Sequence, residues 1–334
     1  MIDRLGLHWG ILGCGNIAGK FAADLIAHQI PVAAVASRDS GRASTFAGRF
    51  GIPRAYGGYA DLLADPGVDA IYVALPNHMH AEWGIRAARS GKHVLCEKPA
   101  SLLESEVVTL SDAARKARVF FMEGFMYALH PQWGLTHALI EEDAIGPVRS
   151  LSATFCYDMG QKPGNIRLSP EAWGGAFADV GCYGVHFARC FAGGKPGEEM
   201  EGSQARVVRA RALRGPEGVD ERTELTLEFP GGVRAEIYCA LRETRPAIAV
   251  IHGASGRIEI PQPWHPPASA AEIRVFNPDG ESVYRAGDGL AAFAREAREV
   301  EEYAVKGQSP TLTWEDAIAQ ARLMESVRGA VEWE

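Results

Sequence analysis

The sequence predicts an α/β protein with two domains, and two patterns carry this prediction. In the first third of the 334 residues, short apolar runs alternate with segments of helical periodicity, which is typical of a doubly wound parallel sheet. After about residue 125, strand-like runs follow one another with short turns, which favours an α+β domain with a predominantly antiparallel sheet. A chain of this length can bury two cores, so we expect domains at 1–125 and 126–334.

The N-terminal domain is expected to contain strands at 9–12, 32–36, 70–75, 93–96 and 119–122. Helical patterns separate them at 16–28, 40–50, 79–89 and 104–117. Strands that are apolar throughout are usually buried on both faces, so helices should cover both sides of this sheet.

The C-terminal domain is expected to begin with a helix at 130–142 and to continue with strands. These strands are predicted at 148–157, 205–213, 224–229, 233–241, 247–252 and 256–260, with a hairpin turn at 229–233. The segments 193–202 and 261–271 are predicted to be surface connections. Two further helices are predicted at 290–306 and 314–330.

The composition excludes several classes of protein. Hydrophobic residues make up 47% of the chain and charged residues 23%, as in an ordinary globular protein. The net charge is −8 and the pI about 5.7, without a block of Lys or Arg, so no nucleic-acid partner is expected. No run approaches the ~18 apolar residues that span a bilayer, so no membrane partner is expected either. The six cysteines lack CxxC spacing, which predicts reduced thiols, a cytoplasmic location and no metal site.

A glycine-rich turn, Gly13-x-Gly15-x-x-Ala18, separates the first predicted strand from the first helix. In a dinucleotide-binding (Rossmann) domain, the first glycine permits the tight turn and the second lets backbone amides approach the pyrophosphate. The helix N-terminus adds a partial positive charge at the same place. We therefore predict that Gly13, Gly15, Asn16 and Ile17 contact a dinucleotide, with a purely structural turn as the alternative.

The end of the second predicted strand indicates which dinucleotide binds. An NAD-binding domain usually carries an acid there for the ribose 2′-hydroxyl, whereas this chain has Ser37 and Arg38, with Arg42 one turn later. A hydroxyl and guanidinium groups would bind a 2′-phosphate. The sequence therefore predicts NADP. The alternative is NAD, with Arg38 directed to water and Asp39 holding the ribose.

The triplet Glu97-Lys98-Pro99 follows the fourth predicted strand. Ligands of doubly wound sheets bind outside the carboxyl ends of the strands, so Lys98 is predicted to reach both cofactor and substrate. The same edge of the sheet is expected to bring further residues to the cofactor, namely Pro76, Asn77, His80 and Glu97. For His80, which begins a helix, a packing role is the alternative.

A cluster of small residues at 174–183 contains Asp179 and Tyr183, four positions apart, on one face of a predicted helix. A free tyrosine titrates near pH ~10, and a neighbouring ammonium favours the phenolate. Lys98 beside Tyr183 would therefore provide a proton acceptor at neutral pH. We predict Lys98, Asp179 and Tyr183 as catalytic residues; a capping aspartate and a core tyrosine are the alternative.

Residues near this cluster are candidates for substrate binding. Trp173 would stack on a sugar ring and Arg167 would contact a polyol, although both have structural alternatives. His186 is most simply a core histidine, with a place in the proton path as the alternative. The predicted substrate-binding set is Lys98, Tyr157, Arg167, Trp173, Asp179 and Tyr183.

Five motifs occur in order: the turn at 13–18, Pro76-Asn77-His78-x-His80, Glu97-Lys98-Pro99, Glu123-Gly124-Phe125-Met126-Tyr127 and the cluster at 174–183. Together they resemble the family of glucose–fructose oxidoreductase, inositol dehydrogenase and rhizopine catabolism proteins, over essentially the whole chain. The tyrosine at position 183 resembles the version of the motif in the branch of NADP-dependent D-xylose 1-dehydrogenase and dimeric dihydrodiol dehydrogenase. A histidine at this position marks the inositol dehydrogenase type.

The resemblance implies that Lys98 assists proton transfer and that Asp179 and Tyr183 complete the site. It also implies an open face on the C-terminal sheet, through which a homodimer or homotetramer forms. Ala128 stands where the family often has an arginine, so a guanidinium that would contact cofactor or substrate is absent. A relative's substrate therefore cannot simply be assumed for this chain.

The motifs together predict an NADP-dependent oxidoreductase. It would transfer a hydride between nicotinamide and a hydroxyl of a sugar, cyclic polyol or dihydrodiol, for example oxidising an aldose at C1 to a lactone. One alternative is a glycosidase that uses bound NAD transiently. The other is a regulator that senses a dinucleotide without catalysis, although such a sensor has no need for both Lys98 and Tyr183.

Overall fold

The computed structural model of the chain describes residues 6–160, 162, 164–192 and 205–334. Two compact units are present: one runs to Met126 and includes Ala291–Ile318, and the other comprises Tyr127–Leu290 and Ala319–Glu334. Residues 291–318 thus group with the first unit, whereas the sequence assigned everything from 126 onward to the second. The connection predicted at 193–202 lies outside the described residues.

The first unit is built on a parallel sheet, as the sequence predicts, but the sheet has six strands rather than the five expected, because the three-residue strand at 54–56 has no apolar run. Its strands lie in the order β3-β2-β1-β4-β5-β6, the arrangement of a Rossmann domain. β1 and β4 are buried along their whole length, which explains why their sequences are apolar without alternation. The strands are β1 (Trp9–Leu12), β2 (Val32–Ala36), β3 (Arg54–Tyr56), β4 (Ala70–Val73), β5 (His93–Glu97) and β6 (Phe121–Gly124).

Helices connect these strands and alternate with them along the chain. Four match predicted helices within two residues at each end, and one short helix was not predicted because its five residues show too little periodicity. The five helices are α1 (Asn16–Ala27), α2 (Ser40–Phe50), α3 (Tyr59–Leu63), α4 (His80–Arg89) and α5 (Glu104–Ala117).

The second unit contains a nine-stranded sheet in the order β14-β13-β12-β11-β7-β10-β9-β8-β15. Neighbouring strands are antiparallel except for the pairs β7–β10 and β8–β15, so the predicted antiparallel character is confirmed. The strands are β7 (Val148–Cys156), β8 (Arg206–Arg214), β9 (Asp220–Glu228), β10 (Arg234–Ala240), β11 (Ile248–Gly253), β12 (Arg257–Ile260), β13 (Ala271–Asn277), β14 (Gly280–Ala286) and β15 (Glu332–Trp333).

One face of this sheet is covered by helix α7 (Cys182–Phe191), which packs on β7 and β10. The covered face carries buried residues such as Ala153 and Ile237, whereas Ser152, Glu236 and Tyr238 on the opposite face are less buried. This alternation gives the sheet one packed face and one open face. The other helices that include residues of this unit are α6 (Pro131–Glu141) and α9 (Trp314–Gly329).

Helix α8 (Ala292–Tyr303) explains why the chain returns to the first unit. It packs against α1, and the ring of Phe293 lies 6.0 Å from that of Phe21 and 6.3 Å from that of Tyr72. The amide of Phe293 also donates a hydrogen bond to Asp24, at 3.3 Å. An amphipathic helix buries its apolar face where a partner is available, and sequence position alone did not reveal this partner. Within the described part of the chain, no helix combines the length and the apolar composition needed to cross a membrane.

Candidate active site

The glycine-rich turn has the backbone that a dinucleotide requires. Gly13 has φ +106° and donates its amide to Ala36 O at 2.9 Å, and a side chain at this position would overlap the carbonyl of Ala74. Gly15 caps α1 without a side-chain hydrogen bond, and a Cβ there would meet nothing within 4 Å. The positive end of α1, with the amides of Asn16 and Ile17, therefore faces open space, which fits a pyrophosphate.

The end of β2 carries the polar residues predicted to select NADP. Arg38 and Arg42 are exposed, and Ser37 is buried. Burial raises the pKa of Tyr59, and the charge of Arg38 opposes that rise, so the two side chains are neighbours. Burial likewise raises the pKa of the Cys14 thiol, against the charge of Arg42 and a hydrogen bond with Ser37. Two guanidinium groups and a hydroxyl thus lie close to the glycine-rich turn.

Asp39, the alternative ribose ligand, has a structural role. Its Oδ1 accepts a hydrogen bond from the amide of Arg42 at 3.0 Å, which makes it the N-cap of α2. The Ser37 hydroxyl also accepts a bond from the Asp39 amide, at 3.3 Å. Because the Asp39 carboxylate is already engaged as a helix cap, it is less suited to bind a ribose hydroxyl. This geometry favours a 2′-phosphate beside the arginines.

His80, predicted near the cofactor, is buried inside the first unit. Its Nδ1 lies 2.8 Å from Pro99 O and its Nε2 lies 2.7 Å from Leu75 O. Burial lowers the pKa of His80 to about 4, so the neutral ring donates to one of these two carbonyls at a time. The imidazole therefore links the segments that follow β4 and β5. This is the packing role that the sequence left open as the alternative to cofactor binding.

Glu97 also points into the protein, where the hydroxyl of Tyr72 donates a hydrogen bond to it. Burial, together with the charge of Glu97, raises the pKa of Glu296 from α8 well above its usual range. Lys98 is partly exposed, and its peptide bond to Pro99 is cis. At the end of this strand, the Glu97 side chain is therefore buried, whereas Lys98 is partly exposed at the surface of the unit. Pro76 and Asn77 are partly exposed at the neighbouring strand end.

Three of the residues predicted to bind substrate converge in the second unit. The hydroxyl of Tyr157 donates to Asp179 Oδ2 at 2.6 Å, and Arg167 Nε donates to the same oxygen at 2.9 Å. Arg167 therefore has a specific ion pair rather than a purely surface position. Two donors on one carboxylate oxygen hold the Asp179 side chain in a fixed orientation.

Asp179 lies in a π-helical turn, Phe177–Gly181, that leads directly into α7. The amide of Cys182 donates to the carbonyl of Phe177, five residues earlier. The sequence predicted a regular first turn, and this extra residue per turn could not be read from composition. Single π-helical turns within helices occur frequently at functional sites.

Tyr183 follows at the start of α7, and aromatic rings surround it. Its ring centroid lies 5.2 Å from that of Phe155, 5.6 Å from Tyr127, 5.8 Å from Trp264 and 6.5 Å from His265. Sequence reasoning missed these four neighbours. Trp264 and His265 were assigned to a surface connection, where a Trp between prolines was the only signal of burial.

Three residues weighed in the sequence remain to be placed: His186, Trp173 and Ala128. His186 is buried, with its Nδ1 2.8 Å from the Tyr127 hydroxyl and its ring stacked on Trp133. This is the core position that the sequence favoured. Trp173 adopts a left-handed backbone with φ +57°, and Arg328 lies over its ring at 6.0 Å. Ala128 is buried. That the protein binds no metal stays a prediction.

Comparison with known proteins identifies both units. Residues 7–125 match the model of an oxidoreductase family with an NAD-binding Rossmann fold, and residues 135–259 match the GFO/IDH/MocA C-terminal domain. The chain is 32% identical to D-xylose 1-dehydrogenase (NADP(+)) 2 of Haloferax volcanii, over 97% of both chains. It is also 32% identical to trans-1,2-dihydrobenzene-1,2-diol dehydrogenase of Xenopus tropicalis, over 95% of this chain and 96% of that one.

Among solved structures, the chain is similar to KijD10, a 3-ketoreductase from Actinomadura kijaniata in complex with NADP and TDP-benzene. The TM-score is 0.88, with 30% identity over 98% of both chains. The motif order, the two domain matches and these full-length similarities agree. The chain therefore belongs to the Gfo/Idh/MocA family of oxidoreductases.

Proposed function

We propose that this protein is an NADP-dependent oxidoreductase that transfers a hydride between nicotinamide and a ring hydroxyl of a sugar, cyclic polyol or dihydrodiol. The observation that carries the proposal is the position of Tyr183, a phenol enclosed by aromatic rings one turn from the fixed carboxylate of Asp179. Relatives named for D-xylose and for a dihydrobenzenediol support the same substrate class.

In this proposal, the chain's residues move the proton of the substrate hydroxyl. Tyr183 accepts that proton as a phenolate, and the ammonium of Lys98 favours the phenolate form. Asp179, held by Tyr157 and Arg167, orients the reacting groups. Bound NADP supplies the hydride acceptor at nicotinamide C4. For an anomeric hydroxyl the oxidised product is a lactone.

The cofactor preference is proposed to rest on Ser37, Arg38 and Arg42. Their hydroxyl and guanidinium groups would bind a 2′-phosphate, and the cap formed by Asp39 supports this choice over NAD. The relatives described as NADP-dependent or solved with NADP support it as well.

Aromatic side chains are proposed to determine which shapes of substrate the site accepts. Phe155 is partly exposed, with its ring plane 15° from that of the buried Trp264, and His265 lies exposed beside them. Flat apolar surfaces of this kind suit the faces of a six-membered ring, while the substrate hydroxyls need polar partners. Arg167 and Tyr157 would provide such partners.

The open face of the nine-stranded sheet is proposed to join copies of the chain into a homodimer or homotetramer. Its central strands carry Ser152, Thr226, Glu236 and Tyr238, which line a depression of about 260 Å³. We also propose a reducing, cytoplasmic environment, supported by six cysteines that form no disulfide.

A substrate screen tests the proposed function. Purified protein is incubated with NADP or NADPH and a panel of aldoses, cyclic polyols, trans-dihydrodiols and the corresponding ketones, and nicotinamide absorbance is followed. We expect NADPH to accumulate with at least one free ring alcohol. Tight NADPH binding without turnover of any compound would contradict the proposal and favour a sensor. Hydrolysis of glycosides without net NADPH formation would favour the transient-redox glycosidase.

Single substitutions test the roles of Lys98 and Tyr183. Lys98→Met and Tyr183→Phe should each lower kcat by about 10²–10⁴, the usual contribution of an acid–base group. NADP(H) affinity should change far less than kcat, because the glycine-rich turn and the residues at the end of β2, which are proposed to hold the pyrophosphate and the 2′-phosphate, remain unchanged. Matched controls are Lys116→Met and Tyr284→Phe, both at exposed positions. Near-normal kcat in both active-site variants would disprove the assigned roles.

A further inference from the structure

Asp220, the first residue of β9, contacts the beginning of the helix that carries Asp179 and Tyr183. We propose that Asp220 is a positioning residue whose negative charge holds this helix start in its active arrangement. The inference rests on the proposed function, because it concerns the same catalytic helix. No sequence pattern singled out Asp220, which lies two residues after Gly218 at the start of β9.

The hydrogen bonds of Asp220 are specific. Its Oδ2 accepts one bond from the amide of Phe177 and another from the hydroxyl of Thr223, each at 2.7 Å. Phe177 is the first residue of the π-helical turn, and its amide is one of the donors that a helix start leaves without a partner inside the helix. Asp220 therefore supplies the cap from a neighbouring strand.

Gly175 makes room for this carboxylate. It adopts φ +113°, and a Cβ at this position would overlap Asp220 Oδ1. The carbonyl of Gly175 in turn accepts the amide of Asp179 at 3.0 Å. Asp220 thus lies against Gly175 and Phe177, at the N-terminal end of the turn from which Asp179 projects, and Tyr183 follows one turn later. A displacement of this turn would move both proposed catalytic side chains together.

The surroundings of Asp220 explain why its charge matters. The residue keeps some exposed surface, but its carboxylate is enclosed by Phe177, Thr223, Gly175 and the thiol of Cys239 on β10. Burial raises the pKa of Asp220 to about 6, against the hydrogen bonds from Thr223 and Phe177 and the charge of Arg328 on α9. At neutral pH the carboxylate is therefore ionised beside a helix N-terminus, where a negative charge is favourable.

Stability alone does not favour this arrangement. The pKa of Asp220 in the folded state, about 6, lies above its ordinary value of 3.8. The contribution of this shift to the free energy of unfolding is therefore fully present below pH 3.8 and is lost as the pH rises through about 6. An uncharged residue of the same shape avoids that loss. In Asp220→Asn, the amide oxygen can still accept both bonds at the Oδ2 position, so this variant removes the charge and keeps the cap.

The test compares Asp220→Asn with Asp220→Ala and with the exposed control Asp279→Asn. At pH 8, we expect Asp220→Asn to have a melting temperature equal to or higher than that of the wild type, yet a kcat lower by about tenfold or more. The KM for NADP should stay unchanged, because the cofactor turn lies in the other unit. As the pH falls below about 5, the two kcat values should converge, since protonated Asp220 carries the same charge as Asn.

A readout that needs no catalysis separates this inference from the proposed function. Hydrogen exchange of residues 177–183 should accelerate in Asp220→Ala, while the wild type and Asp279→Asn remain alike. Absence of turnover in the wild type would defeat the proposed function and leave this exchange comparison in force. Unchanged exchange in Asp220→Ala, wild-type kcat in Asp220→Asn at pH 8, or a kcat ratio independent of pH would each overturn the inference. If Asp220→Ala fails to fold, Asp220→Asn alone decides.

Discussion

Arg38 and Arg42 lie at the end of β2, where a dinucleotide-binding domain that uses NAD usually carries an acid. The nearest acid in sequence, Asp39, caps α2 through the amide of Arg42. The same short segment therefore supplies two cations and removes the competing carboxylate. In the proposed assignment, cofactor preference is a property of a few side chains on an otherwise ordinary turn.

Replacement of both arginines, Arg38→Ala with Arg42→Ala, should weaken NADP(H) binding selectively. Each lost charge-assisted hydrogen bond contributes roughly 1.5–3 kcal/mol, so the loss of both should lower affinity by about a hundredfold or more. NAD(H) affinity should change by less than about twofold. Titration of protein fluorescence with both cofactors measures this, with Arg49→Ala near the other end of α2 as the control. Wild-type protein that binds NAD(H) as tightly as NADP(H) would refute the assignment.

At the scale of elements, α7 approaches the sheet closely because glycine stands at the contact. A Cβ on Gly184 would lie 2.6 Å from Ile237 Cγ2 and 3.5 Å from Ala153 Cβ. Only a residue without a side chain permits this spacing, and the neighbouring Tyr183 depends on it. The packing of this helix on β10 therefore fixes where the phenol lies.

Gly184→Ala should overpack this contact and cost about 1–3 kcal/mol of folding free energy. Ile237→Ala alone should cost about 2–5 kcal/mol, and the double variant should cost less than the sum because the new methyl group fills part of the cavity. Denaturant unfolding of the wild type, the two single variants and the double variant measures these free energies, and kcat is measured for the same four proteins. Gly134→Ala in α6 is the matched control: its Cβ meets nothing within 4 Å, so it should stabilise by about 0.5–1 kcal/mol. Strict additivity of the two changes would rule out the contact.

Most elements of the first unit could be predicted because buried parallel strands are apolar throughout and the helices between them are amphipathic. β13 and β14 were both missed. Pro278-Asp279 between them is a turn signal and β13 alternates buried and exposed residues, but the side chains of β14 are mostly exposed and show no burial pattern. The catalytic candidates were predictable from local motifs. Phe155, Trp264 and Asp220 were not, because only the fold brings them from distant positions to the helix at 176–191.

At the scale of the whole molecule, the open sheet face is the surface that we propose for self-association. Tyr238 on this face donates to both carboxylate oxygens of Glu243, at 2.9 and 2.8 Å, and Arg245 lies over its ring at 3.8 Å. Tyrosine and arginine are enriched at protein interfaces, and the small Ser152 and Thr226 beside them leave a shallow depression.

Thr226→Arg should disrupt the proposed oligomer, because it places a long charged side chain in the depression at the centre of this face. Sedimentation velocity at several concentrations should show an oligomer for the wild type and a smaller species for the variant. Thr109→Arg, at an exposed position on α5, serves as the control and should behave like the wild type. A monomeric wild type at every concentration, or a variant that associates normally, would exclude this face.

The helix α8 has a consequence for how the molecule can be divided. The dinucleotide-binding unit is discontinuous in sequence, since it needs Ala291–Ile318 as well as the segment that ends at Met126. A fragment cut after Met126 would leave Phe21 and Tyr72 without the ring of Phe293 and would uncover an apolar surface. Moving this unit intact into another protein therefore requires a two-segment graft rather than a single crossover.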